Sequence, residues 1–248
     1  MPSALCLWLL AFTFMLFYTP DIDPAHKQYF LNEEESRHCI RVLRLENGAA
    51  VQLIDGKGGL YYATIIEAHP KRTILQINSI IASFNKRNHY LHIAVAPTKN
   101  IERMEWFLEK ATEIGIDEIT PIICRRSERK DVKVERLNKI ITSAIKQSVK
   151  AYQPVLNEPE TYNRFITKPF EGQKFIAHCE KGDKTTLQAE LVPRGKYMVL
   201  IGPEGDFTTS EIADALHIGF KPITLGESRL RTETAALSAC FEVNFLNR

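Results

Sequence analysis

Two glycine-containing turns lie near the carboxyl end of this 248-residue sequence, each between a short apolar run and a helical pattern. The first reads Leu200-Ile-Gly-Pro-Glu-Gly-Asp-Phe207, and the second reads Leu225-Gly-Glu-Ser-Arg-Leu-Arg-Thr-Glu-Thr234. Glycine allows tight turns and lets another group approach the backbone closely. Because ligands of open α/β sheets bind beyond the carboxyl ends of the strands, we expect a small-molecule site where these turns follow neighbouring strands.

A helix is expected after each turn. Thr208-Thr-Ser-Glu211 has the spacing of a capping box, so one helix should begin near Thr208 and end at Gly219. After the second turn, apolar residues recur at spacings of three and four from Ala236 to Leu246, which indicates a final helix with one buried stripe. Ordinary strand–turn–helix connections share these features. A site is favoured by the charged residues beside the turns: Glu204, Arg229, Arg231 and Glu233.

The sequence from His89 onward alternates between strand and helix patterns. This alternation predicts an α/β domain with a largely parallel sheet and helices on both faces. The predicted helices cover 101–114, ending at Gly115, and 134–148. The Pro-rich segment Tyr152–Glu171 is interpreted as a surface connection. Besides the strands before the two turns, at Tyr197–Ile201 and Pro222–Leu225, strands are predicted at Tyr90–Ala96, Glu118–Cys124 and Lys174–Ala177.

The sequence before His89 is mostly of β type. A single helix is predicted at Glu33–Leu45, with Ile40 and Leu43 facing inward. Short strands with tight turns indicate a small barrel, and the glycine-rich segment 55–59 reads as a hairpin turn. A polar segment at 83–88 marks a domain boundary. The strands are predicted at Ala50–Ile54, Leu60–Ile66 and Thr73–Ile81.

Overall charge and cysteine content exclude some classes of site. The net charge is only +2, from 32 Lys and Arg against 30 Asp and Glu, so any surface that binds nucleic acid must be a local basic patch. The five cysteines are scattered without a C-x-x-C pair, which predicts reduced thiols and no metal site. The first twenty residues carry no charged side chain, and Leu5–Phe17 is mostly apolar. We interpret residues 1–14 as an over-long start or a disordered extension, with a short membrane anchor as the alternative.

The two turns carry a family resemblance. Gly202-Pro-Glu-Gly205, Leu225-Gly226 and Leu230-Arg-Thr-Glu-Thr-Ala235 resemble the signature of the SPOUT methyltransferases, specifically those that methylate N3 of a uridine in 16S ribosomal RNA. Where that family often has a second glycine after Gly205, this chain has Asp206. The resemblance extends upstream and covers nearly everything after Met15. Its other motifs are Ser36–Arg44, Ala96–Lys99, Arg103–Glu113 and Ser127–Arg129.

The resemblance implies a trefoil-knotted α/β domain at 87–248, preceded by a PUA-like RNA-binding barrel at 15–86. It also implies S-adenosylmethionine as methyl donor, ribosomal RNA of the small subunit as partner, a homodimer, and a cytoplasmic location without membrane attachment. The residues that would bind the cofactor are carried over from the motif positions: Leu200, Ile201, Gly202, Glu204, Gly205, Leu225, Gly226, Leu230, Thr234 and Ala235.

Four residues are candidates for the chemistry. Uracil N3 carries a proton at neutral pH, so a methyl transfer there needs a proton acceptor or a group that stabilises the anion. Arg231, with Lys99 as a second candidate, would face the charge that develops on the base carbonyls. Glu204 or Glu233 would take the proton or fix the ligand. The alternative for Lys99 is a solvated loop lysine, and the alternative for Glu233 is a salt bridge at a helix start.

Two groups of basic residues are candidates for contacts with RNA phosphates. The first comprises Arg37, His38, Arg41 and Arg44, with Arg41 and Arg44 three apart on one predicted helical face. The second comprises Arg103, Lys110, Arg125, Arg126 and Arg129. Glutamates are interspersed among these residues, which favours a solvated face over an RNA-binding patch. Two other functions remain open: a methyltransferase acting on transfer RNA or another ribosomal position, and a non-catalytic RNA-binding protein.

Overall fold

The computed structural model describes residues 15–248, so the interpretation of residues 1–14 lies outside the described part of the chain. The chain forms two compact units. The first contains the described residues up to Lys86 together with Lys146–Tyr152, and the second contains Arg87–Ile145 together with Gln153–Arg248. Within residues 15–248 no helix is long and apolar enough to cross a membrane. The same residues hold no group of three or more His, Cys, Asp or Glu side chains arranged for a metal ion.

The first unit contains a five-stranded sheet with the strand order β1-β3-β4-β5-β2. Strands β3 and β4 are antiparallel, and Ile54 pairs with Leu60, so the predicted hairpin turn is confirmed. One oxygen of Asp55 accepts hydrogen bonds from two amides of this turn, which fixes its shape. The strands are Leu16–Tyr18 (β1), Gln28–Phe30 (β2), Ala50–Ile54 (β3), Leu60–Glu67 (β4) and Ile74–Ile81 (β5).

The helix predicted at Glu33–Leu45 is shorter and changes its winding. It begins as an α-helix at Glu33–Arg37 (α1) and continues as a wider π-type helix over His38–Val42. The wider turn shifts the helical phase, so Cys39 is fully buried while Ile40 and Leu43 are only partly buried. Arg44 lies beyond the helix with φ of 55°. The prediction that Arg41 and Arg44 share one helical face is therefore wrong.

The second unit contains an eight-stranded sheet, all of whose pairings are parallel. The strand order is β11-β13-β10-β12-β6-β7-β8, with β9 also paired to β7. The strands are Tyr90–Val95 (β6), Glu118–Ile123 (β7), Val155–Leu156 (β8), Glu160–Thr161 (β9), Gln173–Ala177 (β10), Thr185–Thr186 (β11), Lys196–Ile201 (β12) and Lys221–Thr224 (β13). The helices are Ile101–Ile114 (α2), Val134–Ser148 (α3), Tyr162–Ile166 (α4), Leu187–Glu190 (α5), Thr209–His217 (α6) and Thr232–Leu246 (α7).

Both faces of this sheet are covered, as predicted. Successive residues of β6 point to opposite faces, so Ile93 and Val95 belong to one hydrophobic cluster and Ala94 belongs to another. The first cluster includes residues of α2 and α7, and the second includes residues of α4 and α6. The apolar side chains of the sheet are thus buried between two layers of helices.

Two sequence predictions for this unit need correction. The segment 152–171 is more than a surface connection, because it forms α4, whose Tyr162 and Phe165 are each only 2% exposed. The prolines of this segment indicated a loop, but the apolar side chains of α4 are part of the second hydrophobic cluster. In addition, β12 and β13 are not neighbours, since β10 lies between them and pairs with both. The two glycine-containing turns therefore follow strands that are separated by one further strand.

Candidate functional site

The first glycine-containing turn, residues 202–207, follows β12 and is hereafter called the first bend. Its last residue, Phe207, is fully buried and fills the space beside Gly202, where an added Cβ would lie 3.1 Å from the phenyl ring. The bend then leads into α6. Thr208 caps this helix and forms the predicted capping box with Glu211. Gly219 follows α6 with φ of 89°, as its predicted role at the helix end requires.

Hydrogen bonds hold the first bend from four directions. Oε1 of Glu204 accepts from the amide of Lys99, beyond β6, over 2.9 Å. Oδ2 of Asp206 accepts from the amide of Cys179, beyond β10, over 2.8 Å. The hydroxyl of Thr232, at the start of α7, donates to the carbonyl of Gly202 over 3.0 Å. Arg126, beyond β7, donates to the carbonyl of Gly205 over 2.9 Å. The bend is therefore a fixed part of the site.

The second glycine-containing turn, residues 225–230, follows β13 and is hereafter called the second bend. Gly226 has φ of 123°, a conformation that side-chain-bearing residues rarely adopt, and open space lies where its Cβ would be. The hydroxyl of Thr224 donates to the carbonyl of Gly226 over 2.8 Å and closes the turn. The bend leads directly to Arg231, the N-cap residue of α7.

Two adjoining cavities lie along the bends. One, of about 260 Å³, is lined by the first bend and the start of α7, and the other, of about 480 Å³, is lined by the second bend. Five residues line both cavities, so the two form one continuous crevice: Ala177, Cys179, Arg229, Leu230 and Ala235. The crevice is at the carboxyl ends of β10, β12 and β13, where the sheet topology predicts a ligand.

The crevice brings together some of the predicted site residues. Glu204 and Arg231 line its first part, and Leu225 and Gly226 line its second part. Arg231 is exposed and makes no capping hydrogen bond to α7. The other oxygen of Glu204, Oε2, is buried without a hydrogen-bond partner among the described residues. A buried carboxylate oxygen without a protein donor is available to a donor group of a ligand.

Two further candidates lie outside these cavities. The side chain of Lys99 is 73% exposed and pairs with Glu128 over 2.8 Å, and this contact raises the pKa of Lys99. Glu233 is 9% exposed and lies 3.7 Å from Nε of Arg103. Lys99 is thus a solvated lysine and Glu233 forms a salt bridge at a helix start, as the alternatives to their catalytic roles describe.

Several residues of the second basic group contact the protein itself. Arg126 braces the first bend, and Arg129 donates to the carbonyl oxygens of Thr98 and Lys99. Lys110 pairs with two glutamates of its own helix. In the first group, Arg37 pairs with Glu33 over 2.6 Å. Among the members of both groups, His38, Arg41, Arg44 and Arg125 are exposed, with no ion pair among the described residues.

The crevice also contains residues outside the predicted set, among them Cys179, Asp206 and Thr232. Cys179 follows a predicted strand and Asp206 lies within the first bend, so position along the chain could have indicated both. Thr232 adjoins Arg231 in the resemblance motif. His178, beside Cys179, lines the second cavity, and burial lowers its pKa.

Residues 85–244 match the sequence profile of the RNA methyltransferase domain, and residues 31–78 match that of the RNA methyltransferase PUA domain. The chain belongs to the RNA methyltransferase family. The second match confirms that a PUA-like part precedes the methyltransferase part, while the domain limits 15–86 and 87–248 stay predictions.

Similar proteins support the assignment of this chain to the RNA methyltransferase family. A probable rRNA-methyltransferase from Porphyromonas gingivalis is 40% identical, with a TM-score of 0.86 over 94% of this chain and 98% of that one. Ribosomal RNA small subunit methyltransferase E from Neisseria gonorrhoeae, solved bound to S-adenosyl methionine, is 27% identical with a TM-score of 0.84 over the same shares. A protein of the same name from Synechocystis is 28% identical over 87% of this chain and 72% of its own length. The predicted fold class, a largely parallel α/β sheet with helices on both faces preceded by a PUA-like part, is thereby confirmed.

Proposed function

We propose that this RNA methyltransferase transfers a methyl group from S-adenosylmethionine to N3 of a uridine in 16S ribosomal RNA. The observation that carries the proposal is the crevice between the two bends, in a chain whose relatives include a methyltransferase solved with this cofactor. The nucleoside and the position on its base come from the sequence resemblance.

The residues of the crevice fit this cofactor. The combined lining offers backbone groups of two bends and apolar side chains at Leu230 and Ala235. Such lining with a few polar anchors is typical of small-molecule sites. Oε2 of Glu204 supplies one anchor, since it is buried and lacks a protein donor among the described residues. Besides Glu204, the crevice residues proposed to hold the cofactor are Ile201, Gly202, Leu225, Gly226, Leu230 and Ala235. Leu200, Gly205 and Thr234 are also proposed from the resemblance, although they do not line the two cavities.

Arg231 is the residue proposed to act on the acceptor base. When bound, S-adenosylmethionine supplies an electrophilic methyl group on a positively charged sulfur. Uracil becomes nucleophilic at N3 as its proton leaves, and negative charge then spreads onto the neighbouring carbonyl oxygens. The exposed guanidinium of Arg231 is placed at the rim of the first cavity, where it stabilises that charge.

The remaining candidates take supporting roles. Glu204 fixes the loop after β6 through the amide of Lys99 and presents its second oxygen to the ligand. Glu233 holds Arg103 at the start of α7. The side chain of Lys99 is paired with Glu128, so Lys99 contributes to the site through its amide, which donates to Glu204. The proton from N3 leaves to solvent through the exposed side of the crevice.

We further propose that the protein is a cytoplasmic homodimer that acts on the assembled small subunit, and that the domain carrying the two bends contains the trefoil knot implied by the resemblance. The dimer proposal is supported by Phe241 and Phe245 on α7, which are 47% and 52% exposed. Their rings stack with centroids 6.0 Å apart. Paired exposed aromatic rings are typical of protein interfaces.

The test incubates the protein and methyl-labelled S-adenosylmethionine with small subunits, with naked 16S RNA or with transfer RNA, followed by nucleoside analysis. The expected product is 3-methyluridine, formed faster on the assembled subunit. A different methylated nucleoside would overturn the N3 assignment, and labelling of transfer RNA alone would overturn the substrate. Absence of S-adenosylmethionine binding by calorimetry would favour the non-catalytic RNA-binding alternative.

A further inference from the structure

Asp206 joins two parts of the crevice that come from different strands. Its Oδ2 accepts from the amide of Cys179 at the end of β10, and its Oδ1 accepts from the amide of Phe207, each over 2.8 Å. Its own amide donates to the carbonyl of Pro203 over 2.9 Å, which closes the first bend. One side chain therefore holds both the bend and the neighbouring strand end.

The backbone of Asp206 has φ of 61°, in the left-handed region. Glycine adopts this conformation without steric strain, and among other residues aspartate and asparagine tolerate it best. A glycine would supply the turn but no acceptor for the amide of Cys179, so the side chain of Asp206 does something that the turn alone does not require.

The contact matters because β10 separates the strands that carry the two bends. Cys179, at the end of β10, lines both cavities. The hydrogen bond to Asp206 is thus a direct tie between the first bend and the wall that the two cavities share. Loosening it lets the shared wall move relative to the bend.

We infer that Asp206 is a positioning residue of the methyl-donor site, which acts by fixing Cys179 against the first bend. The inference rests on the proposed function. Asp206 also lines the first cavity, so its negative charge offers a competing role: attraction of the positively charged sulfonium. The two roles predict different responses to S-adenosylhomocysteine, which has the same shape without the methyl group and without the charge on sulfur.

The experiment measures the Kd of both ligands by calorimetry for the parent, Asp206→Gly and Asp206→Asn. The glycine variant keeps the bend without strain and removes both acceptors, so both affinities should fall about tenfold, equally for the two ligands. Asparagine tolerates the same backbone and offers one carbonyl oxygen, so its losses should be intermediate. In methyl transfer, the KM for the donor should rise more than kcat falls. Asp131→Gly, at an exposed loop position of the same unit, is the matched control.

Each outcome has a distinct meaning. Equal losses for both ligands, with partial rescue by asparagine, support the positioning role. A loss confined to S-adenosylmethionine, or unchanged affinities, would overturn it. If the parent itself binds neither ligand, the proposed function fails. If the parent binds both ligands and Asp206→Gly binds them equally well, only the role of Asp206 is refuted. Thermal unfolding without ligand verifies that each variant is folded. If Asp206→Gly does not fold, the affinities of Asp206→Asn decide between the two roles.

Discussion

The amide of Lys99 donates a 2.9 Å hydrogen bond to Oε1 of Glu204, although the two residues are 105 positions apart. This bond ties the loop after β6 to the bend after β12, two adjacent strands of the parallel sheet. It also uses one oxygen of the carboxylate and leaves the buried Oε2 for a ligand. Glu204 thus holds two loops of the site together with one oxygen and offers the other oxygen to the ligand.

Glu204→Gln should weaken S-adenosylmethionine binding about tenfold, because an amide group cannot accept at both positions. At saturating cofactor, kcat should change far less than the KM for the donor. Steady-state kinetics with the small subunit as substrate measure both. If kcat instead falls a hundredfold with KM unchanged, Glu204 is the proton acceptor and the anchoring role is wrong.

Arg231→Ala should lower kcat about a hundredfold, because removal of one preorganised charge-stabilising group has effects of that size. The affinity for S-adenosylmethionine should stay within about threefold, since the guanidinium faces the acceptor rather than the donor. Arg231→Lys keeps the charge without the planar fork, so it should be intermediate. A parent-like methylation rate in Arg231→Ala would remove this role.

Arg41→Glu/Arg44→Glu should weaken RNA binding and reduce the slope of log K against log salt concentration by about 1 for each phosphate that the variant no longer neutralises. Both residues are exposed, even though Arg44 lies beyond the helix. The measurement is a filter-binding titration at several salt concentrations. Lys133→Glu/Lys139→Glu, which changes the charge equally at two other exposed positions, is the matched control. Equal salt slopes in the parent and the first variant would refute the patch.

Stability should depend on pH through His89. Burial, with the nearby charge of Arg87, lowers the pKa of His89 from 6.5 to about 4. Between these values the unfolded chain binds a proton that the folded chain does not, so the free energy of unfolding falls as the pH falls from 6.5 towards 4. Denaturant unfolding at pH 7, 5.5 and 4.5 measures this, and His89→Asn should flatten the decline by about 1 kcal/mol, less than the full shift implies because solvent screens this partly exposed ring. Identical declines in both proteins would show that another group is responsible.

Much of the fold could be predicted because its signals are local. The capping box at Thr208 and the stripe of α2 depend on residues a few positions apart, and both helices begin as expected. The π-type winding at His38–Val42 could not be predicted, because it accompanies the packing of Cys39 in a core built by distant strands, which local sequence does not show. Helix α4 was not predicted for a similar reason. The prolines around it indicated a loop, whereas its apolar side chains are buried against other elements.

The candidate site was predicted less completely than the fold. The two bends were identified from their glycines, but strand order depends on long-range pairing, so the position of β10 between β12 and β13 was not expected. Cys179 follows a predicted strand, but its place in the wall that the two cavities share depends on that strand order. Charge signs likewise did not reveal that Arg126 and Arg129 donate to backbone carbonyl oxygens around the first bend.

The most direct test of the central claim is calorimetry of S-adenosylmethionine binding to Gly226→Val and Gly48→Val beside the parent. Both glycines have positive φ, of 123° and 87°, and open space where a Cβ would lie, but only Gly226 is in the second bend. If the bends hold the methyl donor, Gly226→Val should lower the affinity tenfold or more, by about 1.4 kcal/mol per factor of ten, while Gly48→Val binds as the parent does. Parent-like binding by a folded Gly226→Val protein, or equal losses in both variants, would contradict the account.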